Sequence, residues 1–336
     1  MGFRRYLLRK SAWYGAALVV AVCLNFLLPR LVPGNPVDTI VANLARGGGL
    51  EGGQLRAVHE HYVRAFGLDK PLWAQFASYL RHLLLGDLGF SLALYPAPVR
   101  QLIGQALPWS IALQLPAIVI GWIVGNLVGA VAAYRSGWFD RGAFLGSLFA
   151  SSMPYYCLAI VLLYLFAVAL PAAPPGGGYS FGNTPGLSVA FVADALAHYW
   201  LPFLSLVIVF IGSQAVGMRS MAIYELGSDY VGYGRSLGLR DRTIVRYIFR
   251  NAMLPQASGL ALSIGALVGG ALITEIVFSY PGIGTLLFNA ITQNDYPVVA
   301  GVTLILAVAV LLANFGVEVA YGVIDPRIRA ARSGDR

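Results

Sequence analysis

Charge is what this sequence lacks. Only 11% of its 336 residues are Asp, Glu, Lys or Arg, while 58% are hydrophobic. A water-soluble domain carries about 25% charged residues. Too few remain here to cover a water-facing surface, so lipid is expected to touch much of the chain. Lysine is nearly missing: Lys10 and Lys70 are the only two, and neither lies in a GxxxxGK[ST] loop. Hydrolysis of ATP by a phosphate-binding loop in this chain is thereby excluded. The two cysteines, Cys23 and Cys157, lie in separate apolar runs, too far apart for a disulfide framework or a metal pattern. They read as small buried hydrophobes. His59-Glu60-His61 does not place two histidines four apart, as the HExxH zinc helix does, and reads as a solvated face. His198 reads as structural. No GxSxG elbow and no nucleophile with a matching base appear. No enzymatic activity, cofactor or metal is expected.

What the chain has instead is long apolar runs. A spanning helix needs about 20 mostly apolar residues, and six stretches qualify: about 11–29, 107–133, 143–170, 199–218, 257–279 and 298–322. The fold class is therefore an all-α integral membrane protein with about six transmembrane helices. Arg4, Arg5, Arg9 and Lys10 precede the first run as in a signal peptide, but no small-x-small cleavage site follows it. It reads as a retained first helix. In the third stretch Pro154 removes a helical hydrogen bond and should kink or break the span.

The net charge of +8 fits the excess of Lys and Arg on cytoplasmic loops better than it fits nucleic acid, which is not an expected partner. With the N-terminus inside, 16 of the 23 basic residues fall on inner segments. The other seven, Arg30 among them, all lie between 30 and 106, at or within the long first outer segment. The expected layout is a cytoplasmic N-terminus and first helix (1–30), an extracytoplasmic segment (31–106), a five-helix core with a cytoplasmic loop at 219–256 (107–324), and a cytoplasmic tail (325–336). Within the outer segment, 54–66 and 72–85 have apolar residues at helical spacing and predict short amphipathic helices on or near the outer surface. The Pro- and Gly-rich stretch 171–187 predicts an irregular loop.

Gly121, Gly125 and Gly129 recur every fourth residue, as do Gly265 and Gly269, a pattern that lets helices approach closely in lipid. Polar residues inside the spans are few: Asn25, Gln114, Asn126, Glu275, Asn314 and Glu318. Asn314 and Glu318 share a helical face. Each of these has two readings, a hydrogen bond within the bundle or a place on a substrate path or gate; for the second, Glu275, Asn314 and Glu318 are the candidates.

The segment between the fourth and fifth spans carries five arginines between 235 and 250, and Gly238 there should separate two short helices, with Asp241 capping the second. A basic loop beside a membrane can simply bind anionic headgroups. Its details are more specific. Tyr230-Val231, Gly234-Arg235, Gly238-Leu239 and Arg250-Asn251-Ala252-Met253-Leu254-Pro255 resemble the cytoplasmic "EAA" loop of ABC-importer permeases of the dipeptide/oligopeptide/nickel class. Further matches follow in order: Pro33-Gly34-Asn35-Pro36, Gly67-Leu68-Asp69-Lys70-Pro71, Gly86-Asp87-Leu88-Gly89 with Ser91, Glu275-Ile276-Val277-Phe278 with Pro281-Gly282-Ile283-Gly284, Asp295-Tyr296-Pro297 and Asp325-Pro326-Arg327. Gly232-Tyr233-Gly234 stands where the family's Glu-Ala-Ala would be, Asn35 where Asp is usual, and Glu318 where Asp is expected.

The resemblance implies a permease subunit in the cytoplasmic membrane of a bacterium or archaeon, with both termini inside. It implies half of a pore for peptides or a related small solute. The partners implied are a second related permease, two ATP-binding subunits that hydrolyse ATP, an external substrate-binding protein and the bilayer. A coupling helix would dock on an ATP-binding subunit through Tyr230, Gly234, Arg235, Gly238 and Leu239. The alternative is a stand-alone secondary transporter or channel using Glu275 and Glu318 as ion sites; no visible inverted repeats support it.

Overall fold

In a computed structural model the chain is helical, with no strand among the described residues. These are 3–31, 37, 41, 56, 57, 59, 60, 63, 69–135 and 137–324, with backbone alone over 3–6, 28–31, 254–255, 257–259, 261–270, 317–318 and 320–324. The helices are α1 (Phe3–Leu31), α2 (Leu72–Leu84), α3 (Val99–Arg135), α4 (Gly137–Ser152), α5 (Tyr155–Leu163, running on as a π-turn over Tyr164–Ala169), α6 (Val189–Leu226), α7 (Asp229–Ser236), α8 (Asp241–Gly270), α9 (Leu272–Val277), α10 (Ile283–Thr292) and α11 (Tyr296–Ile324).

Four of them carry apolar stretches long enough to cross a bilayer: 7–27, 99–135, 189–226 and 296–316. The pair of α4 with α5 and its π-turn is long and apolar enough only when taken together, as one broken span or a re-entrant loop, and turns by 96° at Met153-Pro154. Pro154 is extended there (φ −59°, ψ 142°) and begins α5 rather than ending α4. The expected kink is thus a full break. The fifth predicted span, 257–279, differs in its limits. Helix α8 starts at Asp241 and passes through Pro255 without a stop, then breaks at Ala271 before the short α9. A helix interior in lipid tolerates proline because neighbouring groups re-satisfy the freed carbonyl. The glycines at 265 and 269 lie where backbone alone is described. The predicted amphipathic helix at 72–85 is α2; the one at 54–66 falls largely outside the described residues, as does the tail 325–336.

Two compact units divide the chain: Trp109–Pro281 with Leu312–Ile328, and Met1–Pro108 with Gly282–Leu311 and Arg329–Arg336. In the first, the glycine stripe of α3 faces α6. A Cβ on Gly121 would stand 2.5 Å from the Phe210 Cβ, and one on Gly125 2.7 Å from the Ile211 carbonyl oxygen. One on Gly129 would meet the Ala215 oxygen closer still. Arg219 near the end of α6 clamps α4, donating from Nε and Nη2 to the two Asp140 carboxylate oxygens at 2.5 and 2.7 Å. Its guanidinium also lies 4.4 Å from the Phe144 ring centroid.

In the second unit the buried Asp295 fixes the segment before α3. Its carboxylate accepts from the Ser91 hydroxyl, from Leu92 N at 3.0 Å and from Ala93 N at 3.2 Å. It also caps α11 by accepting from Val298 N at 3.4 Å. Asn25 on α1 donates to Ala300 O (2.9 Å) and Thr303 Oγ1 (2.8 Å) on α11. Cys23 and Cys157 are unpaired and half-buried rather than buried. His198 is structural: its Nδ1 lies 2.8 Å from the Asp194 carbonyl oxygen one turn back.

Candidate functional site

The loop between α6 and α8 is built by a sequence of local stops. Helix α6 ends at Gly227, and Ser228 is extended (φ −77°, ψ 150°), opening α7. Asp229 in the first turn of α7 and Arg235 in the last both complement the helix dipole. Gly238 closes α7 with φ +71°, a left-handed conformation that costs any other L-residue. The amide of Gly238 donates to Arg235 O (3.0 Å) and that of Leu239 to Gly234 O (3.1 Å). This pair of bonds is the Schellman closure. It folds the Leu239 side chain back, so that a Cβ on Gly234 would meet Leu239 Cδ1 at 3.4 Å. Helix α8 then begins with Arg240 at the cap position; Asp241 is its first residue, not its cap, and no side chain bonds the end. Asp241 acts on the dipole instead.

Helix α7 does not float. Val231 is 1% exposed and joins Ala133 of α3, Ala222 of α6, and Ile244 and Ile248 of α8 in one apolar cluster. Next to it Ala130, Met218 and Ala252 continue the same three-helix seam. Displacing α7 therefore displaces the ends of three long helices together. Its other face is open. Tyr233, Leu237, Leu239 and Tyr247 are exposed apolar groups, and Arg235, Arg240, Arg242, Arg246 and Arg250 are all exposed around them. A shallow cavity of about 170 Å³ lies here, lined by Tyr230, Val231, Tyr233, Gly234, Leu237, Leu239, Ile244 and Tyr247. Tyr230 donates to Glu225 Oε2 at 2.6 Å. Burial and then this carboxylate push its phenol above the usual range, so it stays a neutral donor. Of the predicted docking residues, Tyr230, Arg235, Gly238 and Leu239 reach the surface. Gly234 is buried beneath Leu239 and belongs to the scaffold.

Of the second predicted set, Glu275 and Asn314 are described with their side chains. Glu275 on α9 is fully buried and accepts from Gln114 Nε2 of α3 at 3.0 Å. Beside the turn that follows α9 lies a group of aromatic rings. Trp109 lies 6.0 Å from Tyr179 and 5.6 Å from Tyr280, centroid to centroid. Gly177 N donates to Phe278 O at 2.8 Å, which ties the Pro/Gly-rich loop to the turn after α9. Ser180 N, Ser180 Oγ and Asn183 Nδ2 hold that loop to the Asp194 carboxylate. Asn314 is half-buried on α11, and the Glu318 side chain lies outside the described residues. Sequence reasoning missed the Asp140–Arg219 clamp and the role of Asp295. The motif residues Ser91 and Asp295 were visible as separate signals, but not their pairing.

The chain is thus a multi-span helical protein with a short helix, open on one face, in the loop between α6 and α8. The model of the family described as the inner membrane component of binding-protein-dependent transport systems matches residues 125–330. Among curated proteins, the chain is 34% identical over 328 residues to a putative peptide permease of Brucella suis biovar 1, covering 97% of this chain and 99% of that one. It is 33% identical over 327 residues to the di/tripeptide transport system permease protein DppB of Pseudomonas aeruginosa, covering 92% and 94%. With the dipeptide transport system permease protein DppB of Escherichia coli it shares 32% over 344 residues, covering 97% and 98%. The chain belongs to this family of binding-protein-dependent inner membrane components. It is a multi-pass membrane protein and a permease subunit of an ABC importer, in the dipeptide/oligopeptide class.

Proposed function

We propose that this subunit forms half of a path for short peptides, and that α7 with the start of α8 is its docking surface for an ATP-binding subunit. The peptide assignment rests on the names of relatives aligned over nearly the whole chain. The docking assignment rests on one observation: α7 is packed against α3, α6 and α8 on one side and open on the other. A push on Tyr233, Leu237 or Arg235 reaches all three helices as one body. In this reading a second permease completes the path, two ATP-binding subunits supply hydrolysis, an external binding protein delivers the peptide, and both termini are cytoplasmic. The expected division at residues 30, 106 and 324 belongs to the same reading, with 219–256 as the coupling loop. The switch between access states is driven by the difference in contact between α7 and two states of the ATP-binding subunit.

Glu275 belongs in this scheme to the closed outer gate, because its burial beside Gln114 and under Tyr280 leaves it no open path. Asn314 and Glu318, four apart on α11, are the candidates for the path itself.

The test is the double substitution Tyr233→Asp with Arg235→Glu, which leaves the Gly234–Leu239 closure alone. Assembled with its partners in nanodiscs, the variant should insert normally and lose most of the ATPase activity stimulated by the peptide-loaded binding protein. Undiminished stimulation would sink the docking assignment.

A further inference from the structure

Seven basic residues, from Arg30 at the end of α1 to Arg100 at the start of α3, run against the usual preference of Lys and Arg for the inner side. Four of them, Arg56, Lys70, Arg81 and Arg100, are described and exposed. Lys70, just before α2, and Arg81, on it, accompany a second oddity, an apolar stripe on α2 that no other part of the chain covers among the described residues. Trp73 is 75% exposed, Leu84 88% and Leu85 71%.

Helix α2 packs with one face only. Phe76 and Tyr79 lie 5.0 and 5.5 Å from the Phe26 ring, centroid to centroid. Trp73, Ala77 and Leu84 recur at helical spacing beside that face and turn away from it. The level of this contact is fixed. Phe26 is next to the last residue of the crossing stretch 7–27. Its neighbour Asn25 is bonded to the first turns of α11 through Ala300 and Thr303. A Cβ on Gly301 of α11 would in turn stand 2.6 Å from Val99 Cγ1, so α3 begins at the same level. Helix α2 thus lies at the end of a membrane crossing. With 13 residues it is about 20 Å long, short of the roughly 30 Å hydrocarbon core, and cannot cross it.

We propose that α2 lies in the bilayer interface as a lipid-binding helix. Trp73, Leu84 and Leu85 enter the acyl boundary, and Lys70, Arg81 and Arg100 meet anionic headgroup phosphates. The ionisable side chains on α2 itself, Arg81 and His82, are both basic, so the helix offers no acid to repel a phosphate. A tryptophan at the rim of such a helix is the side chain that prefers this depth. The basic residues that break the inside preference then have a partner in the opposite leaflet. Which leaflet this is rests on the topology proposed above; contact with lipid does not.

The experiment is fluorescence quenching of the assembled importer in nanodiscs of phosphatidylglycerol and brominated phosphatidylcholine, with bromines placed near the headgroup or near the chain end. The chain has six tryptophans, so the Trp73 signal is read as wild type minus Trp73→Phe. That difference should be quenched most by bromines near the headgroup and little by aqueous iodide. Replacing Lys70 and Arg81 by Gln should weaken the quenching when phosphatidylglycerol is present and change it little in neutral lipid. Quenching by iodide alone would place Trp73 in water and overturn the proposal. Shielding from both quenchers would place it against a partner protein and overturn it equally. Because the readout ignores which side α2 faces, an inverted topology would not register as a failure.

Discussion

The loop at α7 and the turn at α9 are both short helices set between long ones, and they are built to opposite ends. Helix α7 buries Val231 and Gly234, and with the turn after it presents Tyr233, Arg235, Leu237 and Leu239 outward. Helix α9 buries Thr274 and Glu275 completely, and Trp109, Tyr179 and Tyr280 lie at the turn that follows it. At the C-terminus of α7 the backbone is satisfied locally by the Schellman bonds, and just before it Ser228 Oγ donates to Glu225 O at the end of α6 at 2.6 Å. In α9 a polar side chain, Glu275, is bonded to a residue far away in sequence, Gln114. A surface that must meet a partner can be altered without unfolding its own chain, whereas a buried polar pair cannot lose one member cheaply. Substitutions at α9 should therefore cost stability, and substitutions on the open face of α7 should cost coupling alone.

The largest expected effect is structural and lies under α7. Gly129→Val places a branched side chain against the Ala215 carbonyl and the Arg219 amide, which are backbone and cannot rotate away. Overpacking of this kind costs about 1–3 kcal/mol or more. It should also separate α3 from α6 where Met218 and Ala252 close the seam. The measurement is thermal unfolding in detergent, with a lower midpoint and less inserted protein. A midpoint equal to wild type would mean that the two helices are not in this close register.

Next is Glu275→Ala, which strands the Gln114 amide in the core. Losing a buried partner costs about 1–3 kcal/mol. Glu275→Gln keeps an oxygen for Gln114 Nε2 and should recover most of the loss. If Glu275 were instead an ion-coupling site, Gln would fail as completely as Ala in transport while both stayed equally stable. Comparing unfolding midpoints with peptide uptake for the two variants separates these outcomes.

The legibility of the sequence follows the same contrast. Apolar runs announced the crossings because lipid demands about 20 apolar residues whatever the neighbours are. Pro154 announced its break because the missing amide is a local fact. Gly238 was readable as a turn for the same reason. What was not readable needed a partner from elsewhere. Gly234 stood in the motif as a docking residue, and only the folding back of Leu239 puts it in the scaffold. Asp241 stood as a cap, yet the chain direction puts Arg240 there. Glu275 stood as a path or gate residue, and only its pairing with Gln114, 161 residues away, buries it. Ser91 and Asp295 are 204 residues apart and meet through their side chains.

A smaller effect is expected at Gly238→Ala. The residue keeps φ +71°, which costs a non-glycine residue about 1–2 kcal/mol. The closure that holds Leu239 over Gly234 should loosen, lowering stimulated ATPase activity by a few fold with little change in the unfolding midpoint of the whole chain. A full loss of inserted protein would mean that α7 contributes to folding more than its single buried valine implies.

The smallest effect has the opposite sign. Gly232 and Gly234 occupy positions where the family's loop carries Glu and Ala. A Cβ on Gly232 meets nothing within 4 Å, and one on Gly234 makes ordinary contact with Leu239 at 3.4 Å. Neither has a positive φ. Sterics therefore do not require these glycines. Replacing each by Ala should stabilise α7 by up to about 1 kcal/mol, chiefly by removing freedom from the unfolded chain. If α7 works as a rigid lever, the double variant Gly232→Ala with Gly234→Ala should keep or raise the stimulated ATPase activity, and hydrogen exchange across 229–236 should slow. If activity fell while exchange slowed, the glycines would be there to let α7 yield, and the contrast between a stiff lever and a sealed gate would have to be redrawn.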